Sequence, residues 1–182
     1  MTESTKKSRF AMKSVAAAGV FALGAAVLTG CSATTTAGGC ELGPEQSGDL
    51  VLKLGTALPQ TGNLAFLGPP EEAGVALAVD EINAAGKGLT IDLTWGDSGD
   101  TDNKAYDTEI PRLLNAGVQA IVGAASSGTS LQFIDRVIAE CVVQFSPANT
   151  SAAFTSYEDK GLYFRTAPSD VLQGEVLGNL IA

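Results

Sequence analysis

An α/β fold built on a doubly wound parallel sheet is what this sequence predicts, on three observations. Short apolar runs of strand length alternate with segments of helical periodicity from Leu50 onward, as repeated βα units do. Those runs are apolar almost throughout, as in strands covered on both faces. Two turns rich in serine, threonine and asparagine follow two successive strands. In a parallel sheet both turns fall at the carboxyl edge, where open α/β proteins place their ligands.

The first thirty residues read as a signal peptide. Lys6, Lys7, Arg9 and Lys13 precede a small-residue apolar run, Val15 to Leu28, short for a membrane span of ~20 residues. The run ends in Leu28-Thr29-Gly30-Cys31, which resembles the lipobox of bacterial lipoproteins. That resemblance implies cleavage before Cys31, a lipid on its sulfur, and a protein anchored at the extracytoplasmic face of the cell membrane. Residues 31–48 are small, polar and without period, as a flexible tether should be. Cys40 and Cys141 remain after Cys31, and an even remainder in an exported chain suggests a disulfide between them. A buried free Cys141 is the alternative.

Leu50 to Ala57 is the first strand, and Pro59 to Pro70 is a turn too long to be a plain connector. A helix over Glu71 to Ala85 follows, with Val75, Ala78, Val79 and Ile82 on one face. Leu89 to Trp95 is the second strand. Three aspartates in the next turn, Asp97, Asp100 and Asp102, invite comparison with a calcium loop. Counted from Asp97, however, position 6 is Asp102 where glycine is needed and position 12 is Thr108 where glutamate is needed. The turn is therefore expected to cap the next helix, Lys104 to Ala116, rather than to hold metal. That helix carries Tyr106, Ile110, Leu113 and Leu114 inward, and it either starts or kinks at Pro111. Gln119 to Gly123 is the third strand. A helix with Leu131, Ile134, Val137 and Ile138 inward leads to the fourth, Val142 to Phe145. An excursion, a strand over Leu162 to Thr166 and a helix capped by Ser169 or Asp170 complete the chain. Leu172, Val176, Leu177 and Leu180 line one stripe of that helix.

Composition narrows the function. The chain is 45% hydrophobic with 21 glycines, within the globular range. Its net charge is −9, with no basic cluster after Lys13, which argues against a nucleic-acid partner. Removing the leader's four basic residues and Glu3 leaves 7 basic and 19 acidic residues, a net −12. Histidine is absent, so Ser-His-Asp triads, Cys-His dyads and histidine metal sites are excluded. Nothing in the chain calls for a cofactor, since the first βα turn lacks G-x-G-x-x-G.

The two polar turns carry the candidate site. Ala125-Ser126-Ser127-Gly128-Thr129-Ser130 sets short hydroxyls and free backbone amides at a helix start, a seat for an anion. Ser146-Pro147-Ala148-Asn149-Thr150-Ser151 adds carbonyls and hydroxyls beside it. Together they could hold a carboxylate and an ammonium a few ångströms apart. Either turn alone reads equally well as an ordinary helix cap.

GTALPQTG (55–62), GVALAVDEINAAGKG (74–88), AIVGAASSGTS (120–130), FSPANTS (145–151) and FRTAPSD (164–170) occur in this order. In that order they resemble periplasmic binding proteins of the branched-chain amino-acid type, the substrate-binding components of ABC importers. The resemblance implies a type I binding-protein fold with flavodoxin-like strand order 2-1-3-4. It implies that residues 49–168 are the first lobe and 169–182 the truncated start of a second, which is essentially missing. It also implies a small amino acid as ligand and an ABC permease as partner, the membrane being reached through the lipid anchor. By position, Ser126, Ser127 and Thr150 would hold the carboxylate, while Ala148 (through its carbonyl) and Thr150 would hold the ammonium. Phe66 or Leu67 would meet the ligand's apolar part, and Asn149 would be a further ligand-binding residue, at a position where related proteins often have a small apolar residue. Two other classes compete. A serine-dependent enzyme at Ser126 lacks the G-x-S-x-G elbow and a histidine base. A ligand-sensing receptor domain shares the fold but needs a transmembrane helix and a cytoplasmic part, and this chain shows neither.

Overall fold

The computed structural model describes Cys40 and residues 47–182. The expected signal peptide, Cys31 and most of the tether lie outside the described residues. Five strands, β1 (Leu50–Ala57), β2 (Leu89–Thr94), β3 (Ala120–Gly123), β4 (Val143–Ser146) and β5 (Tyr163–Arg165), form one sheet. All pair in parallel, in the order β2-β1-β3-β4-β5. The expected order 2-1-3-4 is present, and β5 extends it beyond β4. Strand order reverses between β1 and β3, which opens a crevice at their carboxyl ends. β3 stops hard against β1 there. Gly123 has φ 133°, a region that disfavours side chains, and a Cβ would run into the Ala57 carbonyl.

The helices are α1 (Gly68–Ala85), α2 (Tyr106–Asn115), α3 (Ser127–Ala139) and α4 (Asp170–Ile181). Register sorts the strand side chains between two faces. Gly55, Ile121, Gln144 and Tyr163 are lateral neighbours on one face. There Ile121 joins Tyr106, Ile110 and Leu113 of α2 and Phe133 and Val137 of α3 in a buried cluster. Thr56, Val122, Phe145 and Phe164 are neighbours on the other face. Phe145 and Phe164 are 37% and 51% exposed, so the β4–β5 end of that face is open. α1 packs beside β2, where Asn83 both donates to and accepts from the Ile91 backbone and so occupies part of the free edge.

A second buried cluster joins Cys40 to Ile134, Ile138, Phe154, Leu162 and Tyr163. Cys40 is bonded to Cys141 across a sequence separation of 101 residues, at the edge opposite the two polar turns. Phe154 stacks on Tyr163 with ring centroids 4.4 Å apart.

Several elements differ from expectation. α1 begins at Gly68, ahead of Glu71, because Pro69 and Pro70 fit a first turn whose amides need no intrahelical acceptor. Its buried face is narrower than its sequence implies: Val79 is buried and Val75 half-buried, while Ala78 and Ile82 are exposed. α2 runs through Pro111 and so does not start there. Pro111 interrupts only the bond to the Asp107 carbonyl in the first turn, while Ile110 and Leu113 are fully buried. α3 starts at Ser127 with Ser126 as its N-cap, and α4 is capped by Ser169. No residue of α4 is buried. Its apolar stripe, Leu172, Val176, Leu177 and Leu180, is between 52% and 81% exposed. Among the described residues no helix is long and apolar enough to cross a membrane.

Candidate functional site

Both polar turns leave the carboxyl edge of the sheet and are bonded to each other. In the first, Ser126 has extended backbone and its Oγ accepts from the Thr129 amide at 3.4 Å. The Ser130 amide bonds to the Ser126 carbonyl. Among the described residues the Ser127 and Gly128 amides have no acceptor, so these two donors of the first helical turn remain free, with the helix dipole behind them.

In the second turn, Ser146 Oγ donates to the Ala124 carbonyl at 2.7 Å and accepts from the Asn149 amide at 3.0 Å. Ser127 Oγ accepts from the Thr150 and Ser151 amides at 3.1 and 3.2 Å, which fixes one turn against the other. The carbonyls of this turn are largely used. Thr166 donates to Pro147, Arg165 to Asn149 and Ser151, and the Asp170 amide to Thr150. Among the described residues no donor reaches the Ala148 carbonyl. Among the described residues the free groups of the two turns include the hydroxyl hydrogens of Ser126 and Ser127, two backbone amides, the Ala148 carbonyl and the Thr150 hydroxyl, while the Thr129 hydroxyl is buried without a partner. That set offers both donors and an acceptor.

Asn149 is a correction. Its side chain is fully buried, donates to the Ala124 and Ala125 carbonyls at 3.0 and 2.8 Å, and accepts from the Tyr163 hydroxyl at 2.9 Å. It faces the protein and holds the turn, and no part of it is exposed. Sequence reasoning placed Ser146 in the turn without giving it a role and missed Tyr163 and Arg165, all of whose side chains shape this turn. A serine or tyrosine inside an apolar strand carries no local sign that it will meet a loop carbonyl.

Phe66 and Leu67 lie on a short 3-10 turn, Ala65–Leu67, in the long loop after β1. Phe66 is 70% exposed and Leu67 half-buried. The loop is held by the acidic turn, and here too expectation fails. α2 has no side-chain cap; Asp97 and Asp100 instead bind the loop. Asp97 accepts from the Gln60 and Thr61 amides and the Thr61 hydroxyl. Asp100 accepts from the Asn63, Asp102 and Asn103 amides. Backbone donors in tight turns outcompeted the helix terminus, because they lie closer. Among the described residues no three acidic or cysteine side chains come together as a metal would need. The acidic turn approaches the serine turn, where a side chain added at Gly128 would meet Thr101. The structure therefore joins Ser126, Ser127, Ala148 and Thr150 directly, and links Phe66 and Leu67 to them through the acidic turn.

Burial alone would raise the Asp97 pKa, but bonds from Thr61, Gly99 and Gln60 outweigh it and hold it below the usual aspartate range. Asp100 is lowered by backbone bonds from Asn103 and Asn63. A carboxylate depressed in the folded state stabilises the loop above its unfolded pKa and loses that contribution as pH falls through the folded one. The Gln60, Thr61 and Asn63 amide signals should accordingly stay fixed from neutral pH down past about 3.9 and move only below it. Movement already near pH 5, followed by NMR, would refute these bonds.

Residues 51–182 match the model of the periplasmic binding protein family. The chain is 32% identical over 133 residues to the leucine-, isoleucine-, valine-, threonine-, and alanine-binding protein of Pseudomonas aeruginosa, covering 72% of this chain and 35% of that one. The structure resembles a branched-chain amino acid transporter substrate binding protein from Streptococcus pneumoniae in complex with isoleucine. The TM-score is 0.64 at 29% identity, covering 72% of this chain and 38% of that one. It also resembles an ABC transporter substrate-binding protein from Desulfitobacterium hafniense complexed with leucine, with TM-score 0.60, 29% identity and the same coverage. The chain thus spans little more than a third of the length of these relatives. A parallel sheet in the order found and a family match over 51–182 together place this chain in the periplasmic binding protein family.

Proposed function

We propose that this chain binds a small zwitterionic amino acid, of the branched-chain kind or close to it, at the two polar turns. The protein would deliver it to an ABC permease from the extracytoplasmic side of the membrane. The observation that carries the reading is the pairing of the turns through Ser127. That bond sets free N–H and O–H donors beside an unused carbonyl, the arrangement a carboxylate and an ammonium on one carbon require. Neutral donors suit the task, because a helix start can seat a carboxylate without a buried cation that would be costly when unpaired. The bound amino acids of the Streptococcus and Desulfitobacterium proteins support the choice of ligand class.

The described turns grip a ligand's charged end from one side and leave water on the other, so binding by this chain should be weak, in the millimolar range (about −4 kcal/mol). Titration with L-leucine, followed by NMR, should shift the Ser127, Gly128 and Thr150 amides and leave those of α1 unmoved. No response at high millimolar leucine, or a response away from the turns, would sink the amino-acid reading. Cys31 is proposed as the lipid-bearing residue on the basis of Leu28-Thr29-Gly30-Cys31. Mass spectrometry of the processed chain should find a diacylglyceryl group there, and an unmodified amino terminus elsewhere would overturn it.

A further inference from the structure

We propose that Asn149 and Tyr163 form a lock that registers the two turns of the site, with both acting as positioning residues that do not touch the ligand. The inference rests on the amino-acid reading for its ligand, but the lock itself is a matter of geometry. Asn149 lies on the loop after β4, its two N–H groups reach two successive carbonyls after β3, and its oxygen takes the hydroxyl of Tyr163 in β5. One side chain therefore ties together the ends of three adjacent strands. Its own amide is held by Ser146, and its own carbonyl accepts from Arg165. The lock is dry, with Asn149 at 0% and Tyr163 at 8% exposure. Water is then a poor substitute for any partner removed.

The consequence reaches the site through two residues. The Ala125 carbonyl that Asn149 holds immediately precedes Ser126, and Thr150 immediately follows Asn149. If the lock opens, the register of the turns falls to the Ser127 link with Thr150 and Ser151 and to the Ser146 bond at the Ala124 carbonyl. Burial pushes the Tyr163 phenol up to about 12, against the pull of the Arg165 charge, so its hydroxyl keeps the proton that it donates.

Tyr163→Phe is the decisive variant, because the ring stacked on Phe154 is retained and only the donor is lost. The lock predicts that the Thr150 and Ser151 amides, which donate to Ser127, exchange about tenfold faster, while the Ile121 amide inside β3 exchanges as before. The L-leucine midpoint should weaken by about tenfold in parallel. Asn149→Ala should do both more strongly, and adding Tyr163→Phe to it should change nothing further, since the two share one interaction. Unchanged exchange at Thr150 and Ser151, or a uniform rise across the sheet, would overturn the lock. Faster exchange with an unaltered leucine midpoint would overturn its positioning role. If the unaltered protein shows no leucine response at all, the amino-acid reading fails by itself, and the exchange data still judge the lock.

Discussion

Replacing Cys40 and Cys141 together by serine is expected to lower the thermal midpoint of the domain by about 10–15 °C. The bridge closes a loop with a sequence separation of 101 residues, which takes in β1 through α3 and leaves β4, β5 and α4 outside. A crosslink of that span removes chain entropy from the unfolded state worth up to ~4.7 kcal/mol. At two to four degrees per kcal/mol for a domain of this size, that gives the expected shift. Cys40 is also buried among Ile134, Ile138, Phe154, Leu162 and Tyr163, so freeing it loosens the cluster under the second polar turn. Calorimetry of the oxidised protein and of the double variant decides the matter. Equal midpoints, or two thiols that alkylate without reduction in exported material, would show that the bridge does not stabilise the protein. The prediction concerns stability alone; the leucine response of the variant should survive at temperatures where it remains folded.

Ser127→Ala should abolish the measurable leucine response, whereas Ser126→Ala and Thr150→Val should each weaken it by about tenfold or more. The ranking follows from the bonds. Ser127 Oγ serves two backbone amides and links the turns, so its loss removes a ligand donor and frees Thr150 and Ser151 at once. Ser126 Oγ receives a single long bond from Thr129, so its removal takes away one donor and a weak cap. Each hydrogen bond to a charged ligand group contributes ~1.5–3 kcal/mol, the basis for the tenfold figure. NMR titration of the three variants beside the unaltered chain measures the order. Equal effects at Ser126 and Ser127 would show that the link between turns is idle, and no effect at any of the three would reduce both turns to caps.

The fold was legible in the sequence because it rests on period and polarity. Apolar runs of four to eight residues read as strands when helical segments separate them, and Leu50–Ala57 is found with the bounds its composition implies. The first polar turn was legible for the same reason, since Ser126 stands where an amphipathic segment begins and caps it, as Ser169 caps α4. Cys40 and Cys141 declared themselves by number alone, and the structure joins them. What only the tertiary structure decided is direction: which way a polar side chain turns once its turn is built. Asn149 and Thr150 are adjacent and alike in propensity, yet one is buried against three strand ends and the other stays half-exposed beside the free amides. The aspartates after β2 could cap α2 or bind the loop after β1, and proximity of backbone donors chose the loop. A sequence records which groups need partners; which partner each one finds depends on strand neighbours as distant in the chain as Ala124 and Asn149, or Asp97 and Gln60. The site's free groups are those left over after that pairing is complete, and so they could be named as candidates from the sequence but selected only in the fold.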